Sequence, residues 1–293
     1  ATASGALIEV TGAAVGTCRI LPNAYALSEF GGASAVPTQQ NYILISDISR
    51  FVFAFGCNDY GSATLDPMLI RWSNQDDLYN WTPNATNQAG SIRLSHGSEI
   101  ITTVQTRQEI VVFTDQAVYS MQYLGPPYVW GFQILGENTS IMGPNAAATA
   151  ANITYWMGVD KFYMYSGRVE TLPCSVRQYI YDDINLQQGF QVFGGSNEGY
   201  NEIWWYYCSA NSTTIDKYVI YNHLERTWAY GTLARTAWQD SPLRESPMAT
   251  TYGNALVYHE QGNDDGTTSP ASPIYAYVRS SDFDIGDGHN FGM

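Results

Sequence analysis

The chain has 293 residues, 45% hydrophobic but only 14% charged, a length that supports one large β domain or two smaller ones around a core that needs no covalent staples. Its formal net charge of -14, with thirteen basic residues scattered singly, excludes the usual tight nucleic-acid binder, which neutralises phosphates with clustered Lys and Arg. The 22 Tyr and 8 Trp favour strands over helices, because aromatic side chains suit a pleated surface.

In chain order the same event recurs: a short apolar strand, a turn, then a strand rich in Tyr or Trp. The N-terminal stretch from ALIEV (6–10) to NAYAL (23–27) offers a partial unit. The first clear hairpin runs FVFAFGCND from Phe51, turns through YGSATLDP and returns as MLIRWS from Met68. The second is EIVVFTDQAVYSMQYL from Glu109, with its turn at Thr114, Asp115 and Gln116, and the third is ITYWMGVDKFYMYSG from Ile153. SVRQYIYDDINLQQ then predicts one short helix near 175–188, with Val176, Tyr179, Ile180 and Ile184 at helical spacing after Pro173. A fourth hairpin pairs EIWWYYCS from Glu202 with KYVIYNH from Lys217 and leads into ERTWAYG. The fifth pairs NALVYHE from Asn254 with PIYAYVRS from Pro273 across a long polar loop.

The returning strands recur every ~40 to 55 residues, the period of a four-stranded propeller blade. A hairpin apolar on both faces is unstable alone, so successive units must stack and bury one another, and radial closure hides their edges. The fold class expected is therefore all-β and β-propeller-like with repeated aromatic-rich hairpins, a β-sandwich being the competing architecture. Residues 1–280 form the expected domain, with 1–50 contributing least to the repeat. The Gly- and Asp-rich 281–293 read as the start of a further element or a truncated tail. Ala1 implies an upstream initiator or a longer upstream segment, and no apolar run approaches the ~20 residues of a spanning helix, so a soluble chain is expected.

The search for chemistry returns no catalytic, cofactor-binding or metal-binding residue. His96, His223, His259 and His289 show no metal-ligand spacing, and Cys18, Cys57, Cys174 and Cys208 lack the paired spacing of zinc or redox sites. They read as free thiols packed as small hydrophobes. No nucleophile elbow, phosphate-binding loop or dinucleotide fingerprint occurs. The acid pairs Asp76 and Asp77, Asp182 and Asp183, and Asp264 and Asp265 are read as turn residues, because neighbouring strand residues face opposite ways and Asp side chains stabilise turns. Asp282, Asp284 and Asp287 resemble a calcium loop, but Gly286 and Met293 stand where such a loop needs acids. Trp72, Trp81, Trp130, Trp156, Trp204, Trp205, Trp228 and Trp238 alternate with apolar neighbours, which predicts core or inter-blade packing over a sugar platform. The Asn-x-Ser/Thr triplets at Asn84, Asn138, Asn152 and Asn211 read as chance in an Asn- and Thr-rich chain.

RWSNQDDLYNWTPNATNQAG (71–90), then GSEIITTVQTRQEIVVFTDQAVYSMQYLGPPYVWGFQILGENTSIMGPNAA, WMGVDKFYMYSGRVETLPCSVRQYIYDDIN, NEIWWYY, YVIYNHLERTWAYGTLARTAW and DFDIGDG together resemble the structural tail nozzle or hub proteins of short-tailed bacteriophages. The resemblance covers most of the chain from about Phe51 onward. It implies a β-propeller working in the virion tail without enzymatic activity or cofactor, as a wall for DNA retention and ejection. The implied partners are copies of the chain itself in a hexameric ring, tail adaptor and fibre or spike proteins, and DNA passing transiently, which an acidic lumen would repel. Residues 261–272 are expected to carry contacts to neighbouring subunits or fibres. The alternatives are a tail module that binds host glycan and a propeller glycosidase, which would require acids converging in a central pocket.

Overall fold

The computed structural model describes residues 36–77, 80–241, 243–264 and 272–273, with the backbone of 7–10, 18–21, 283–284 and 291–292. β1 (Leu7–Val10) pairs antiparallel with β2 (Cys18–Leu21). Then come β3 (Gln40–Ser46), β4 (Phe51–Asn58), β5 (Leu65–Trp72) and β6 (Gly90–Arg93), each hydrogen-bonded to the next. β7 (Ile100–Gln105), β8 (Ile110–Thr114), β9 (Ala117–Gly125) and β10 (Val129–Glu137) form a second four-stranded meander. A third comprises β11 (Ala147–Ala150), β12 (Ile153–Met157), β13 (Phe162–Tyr165) and β14 (Val169–Leu172). A fourth comprises β15 (Phe193–Asn197), β16 (Glu202–Tyr207), β17 (Lys217–Asn222) and β18 (Thr227–Thr232). The fifth sheet has three strands among the described residues, β19 (Ala237–Gln239), β20 (Met248–Thr250) and β21 (Leu256–Tyr258). The fold is all-β and β-propeller-like.

Each joint between successive sheets is an aromatic contact, which explains the surplus of rings in the sequence. Phe53 meets Trp130 edge-on at 5.0 Å, Phe113 meets Trp156 at 5.1 Å, and Phe162 meets Trp205 at 5.0 Å. Trp204 stacks on Trp238 at 5.3 Å between the fourth and fifth sheets. Such pairs add about 0.5–1.5 kcal/mol each beyond the area they bury. Two of the indole N–H groups bond across these joints: Trp205 donates to the Ala146 carbonyl at 3.0 Å and Trp238 to that of Ser196 at 2.8 Å.

Two glycines make this packing possible. Gly56, at φ +55°, occupies the bulge where β4 slips register between Phe55 and Cys57, a backbone that a Cβ would strain. Gly195 leaves the room that the Trp238 ring fills.

The first four expected hairpins are present, β5 beginning at Leu65 rather than Met68. Of the fifth, NALVYHE supplies β21, which pairs on one side with β20 across the short turn 251–255; Pro273 bridges Asp264, and 274–280, the rest of the expected partner strand, lie outside the described residues. The helix is shorter than expected. α1 (Arg177–Asp183) is followed by a 3-10 turn at Leu186–Gln191, where Asn185 caps the amide of Gln187 and the 3.6-residue period ends. Ile180 is fully buried, but Tyr179 is exposed and lies against Tyr230 instead of facing the core. Beyond the expected domain edge, Phe283–Asp284 (β22) pairs antiparallel with Phe291–Gly292 (β23).

Candidate functional site: the axial cavity

A meander exposes one edge strand on each side, and here the first strand of every sheet turns toward a common axis. β3 lies beside β7, β11 beside β15 and β15 beside β19. Asn145, just before β11, pairs in parallel with Phe193, and the Gly194 amide donates to the Asn145 carbonyl at 2.7 Å. β11 and β15 thus run in the same direction where they meet.

At the end where these strands finish, a cavity of about 1100 Å3 is lined by Asp47, Arg107, Asn152, Glu198, Asn201 and His223, with Ile45 and Ile48 at its rim. The turns that supply these groups follow from their sequence: Asn152 and Asn201 adopt left-handed conformations at φ +64° and +59°, which Asn tolerates better than most residues. Gln105 donates to Asp47 at 2.7 Å, and the Glu198 backbone amide donates to Asp240 at 2.8 Å. The His223 ring lies against Tyr155, and burial lowers its pKa. Among the described residues no hydrogen bond joins that imidazole to a hydroxyl or thiol.

At the end where the strands begin, a second cavity of about 680 Å3 is lined by Tyr42, Thr103, Asn145, Phe190, Trp238 and Tyr252 among others. None of its lining residues carries a charge.

Between the second and third sheets a carboxylate adds to the aromatic contact of Phe113 and Trp156. Glu109 accepts hydrogen bonds from Ser120, from Gln122 at 3.1 Å and from the Tyr165 hydroxyl at 2.5 Å. Burial, then this carboxylate, pushes the Tyr165 pKa up.

The acid pairs singled out in the sequence do not converge. Asp76 sits in a turn at φ +58° and pairs with Arg50 at 3.0 Å, and Asp77 follows in the same turn. Asp182 and Asp183 are corrected from turn residues to the last turn of α1, where the buried Ile180 anchors the helix one turn earlier. Asp183 pairs with Lys217 at 2.8 Å. Asp264 bridges to Pro273, while Asp265, Asp282 and Asp287 lie outside the described residues, as do His289 and the side chains of Cys18 and Asp284.

The remaining histidines are dispersed. His96 lies 3.7 Å from Glu137, and His259 accepts from Arg235 at 2.9 Å. Burial, reinforced by that guanidinium, lowers the His259 pKa to about 4. Among the described residues no group of three His, Cys, Asp or Glu side chains is placed to hold a metal. Cys57, Cys174 and Cys208 are free thiols, with burial raising their pKa values to about 12, 11 and 11. Trp72, Trp81, Trp130, Trp156, Trp204 and Trp205 are buried, and Trp228 and Trp238 half-buried. Asn84, Asn138, Asn152 and Asn211 are all exposed outside strands, and a further triplet begins at the half-buried Asn80.

Sequence reasoning missed Glu109 and the lining of both cavities. The paired left-handed asparagines were the one local signal, since Asn at a strand-to-strand turn marks where the chain reverses at a mouth.

No protein-family model and no curated protein sequence matches the chain. Among solved structures it is similar to the extracellular domain of a one-component system from B. thetaiotaomicron, with a TM-score of 0.47 and 11% identity over 82% of this chain and 28% of that one. It is similar to Hsv2 from Kluyveromyces lactis, with a TM-score of 0.43 and 13% identity over 85% and 65% of the two chains. It is also similar to the N-terminal domain of Nup159, with a TM-score of 0.33 and 9% identity over 80% and 78%. The chain spans less than two thirds of the first two structures, and at these identities the likeness concerns fold alone. No helix among the described residues is long and apolar enough to cross a membrane.

Proposed function

We propose that this chain is a non-enzymatic structural component of the tail nozzle or hub of a short-tailed bacteriophage. In this reading its sheets close into a propeller, and copies of the chain assemble as a ring beneath the tail adaptor to wall a channel for DNA. The observation that supports the reading is that the first segment carrying the resemblance, residues 71–90, is tied into the first sheet. Arg71 and Trp81 are buried, and Trp72 donates to the Gln88 carbonyl at 2.8 Å. The Asn74 side chain accepts from the Gln88 amide at 2.9 Å, and Asn87 donates to the Thr82 carbonyl at 2.7 Å. The segment is a self-bonded cap that covers the outer face of the first sheet, where Trp81 packs with Val36, Ala54, Cys57 and Leu69.

A wall needs stiffness and a surface that does not hold DNA. The aromatic joints supply the first, and a net charge of -14 supplies the second, because like charges repel along the path. Electron cryomicroscopy of the particle assembled with this chain tests the reading. A sixfold ring below the adaptor, with this chain against a continuous channel, is expected. A peripheral chain with no ring, or a lumen lined mainly by Lys and Arg, would overturn the wall or the repulsion respectively.

A further inference from the structure

The uncharged cavity at the start of the inner strands is unlike the rest of the chain. The molecule carries 27 acidic and 13 basic residues, yet none of the described ones lines this space, whereas the opposite mouth presents Asp47, Glu198 and Arg107. Five described rings line it, the buried Phe193 among them. Phe190 and Tyr252 are 63% and 45% exposed, large apolar surfaces left in water, and Tyr42 and Trp238 are half-buried.

The exposed ring of Phe190 is held in place and not loose. It sits on the 3-10 turn that Asn185 caps, and the neighbouring Gln191 donates to the Thr213 carbonyl at 3.0 Å. Gly143 packs so closely under this turn that a Cβ there would reach the Gly189 carbonyl oxygen at 2.7 Å.

Beside the rings stands a polar group with unused capacity. Asn145 uses its backbone carbonyl for Gly194, and its exposed side-chain amide takes part in no described hydrogen bond.

Aromatic faces, neutral hydroxyl and amide groups, and no counter-charge together select a ligand with apolar C–H faces and many neutral hydroxyls. An anionic ligand would find no described charge to neutralise it, and a purely apolar one would leave Asn145 unanswered. We propose that this cavity binds a neutral oligosaccharide, with pyranose faces against Phe190 and Tyr252 and a hydroxyl bonded to the Asn145 side chain. The proposal is independent of the nozzle reading, since a wall protein with or without this site would form the same ring.

Titration calorimetry with the intact chain tests it, using maltotriose, cellotriose and chitotriose as neutral probes and sialyllactose and trigalacturonate as acidic ones. Trp238 fluorescence provides a second readout. At least one neutral trisaccharide is expected to bind with a Kd between roughly micromolar and millimolar, Phe190→Ala and Asn145→Ala each weakening it about tenfold with Tm unchanged. Arg107→Ala, at the opposite mouth, should leave binding as it was. No response to any neutral probe up to about 10 mM, or equal affinity for the acidic sugars, would overturn the proposal. So would binding that survives Phe190→Ala and Asn145→Ala but is lost with Arg107→Ala.

Discussion

Adding one methyl group at Gly195 should loosen the joint between the fourth and fifth sheets. A Cβ there would overlap the Trp238 ring, with Cγ at 2.9 Å and Nε1 at 3.1 Å. The indole has no easy retreat: its Nε1 is tied to the Ser196 carbonyl at 2.8 Å, Trp204 stacks at 5.3 Å, and the His259 ring lies 4.8 Å away. Relief therefore sacrifices the hydrogen bond, worth about 1 kcal/mol, and the stack, worth about 0.5–1.5 kcal/mol, or else strains the strand by about 1–3 kcal/mol. Gly195→Ala is expected to destabilise this joint by about 2–3 kcal/mol. Hydrogen exchange read at the amides of β19 and β20, with tryptophan fluorescence in a urea titration, measures the loss. The control is Gly199→Ala, whose added Cβ would come no closer than 3.9 Å to its nearest neighbour. If the two variants behave alike, the packing argument is wrong.

Glu109→Gln puts an amide among donors that all need an acceptor, so it should cost about 1–3 kcal/mol. It should also lower the pKa of Tyr165, which an ultraviolet titration of tyrosinate absorbance against the parent chain would detect. His259 carries a pKa held near 4 by burial and Arg235, against about 6.5 in an unfolded chain. The unfolded state then binds more protons below about 6.5, so stability should fall as pH drops from there through the folded value. His259→Gln, which keeps an acceptor for Arg235, should remove that part of the slope between pH-resolved urea titrations. The raised thiol pKa values of Cys57 and Cys208 and their burial predict that neither is alkylated at mildly alkaline pH in the folded chain. Peptide mapping by mass spectrometry after iodoacetamide, with and without urea, checks this.

The hairpins were legible because their signal is local. EIVVFTDQAVYSMQYL carries both strands and the turn in one continuous stretch, and the turn side chain of Thr114 bonds the Ala117 amide at 2.9 Å just as its sequence suggests. The pairing of NALVYHE with β20 was not legible, because β20 is only three residues long and MAT carries neither alternation nor an aromatic. Asp182 and Asp183 misled because adjacent acids suit a turn and a helix end equally, and only the burial of Ile180 decides between them. The cavities were invisible for a different reason. Tyr42, Asn145, Phe190 and Tyr252 come from four distant places, and nothing in the sequence reports that inner strands from successive sheets enclose a common space.

The adjacent pair Trp204 and Trp205 shows how the sheets act together. Neighbours on a strand face opposite ways, so Trp204 reaches Trp238 of the fifth sheet while Trp205 reaches Phe162 of the third. A displacement of β16 therefore disturbs two joints at once, and stability is shared between neighbours rather than held by each sheet alone. The fifth sheet receives this support on one side only, among the described residues. Its strands are three residues long, and Leu256 and Tyr258 on β21 are 60% and 56% exposed. Unfolding should then begin at β21 and pass inward through Trp238 and Trp204, the order in which amide protection ought to be lost as denaturant rises. A chain that loses protection first in β8, where all five residues are buried, would show that the sheets do not share load through these aromatic joints.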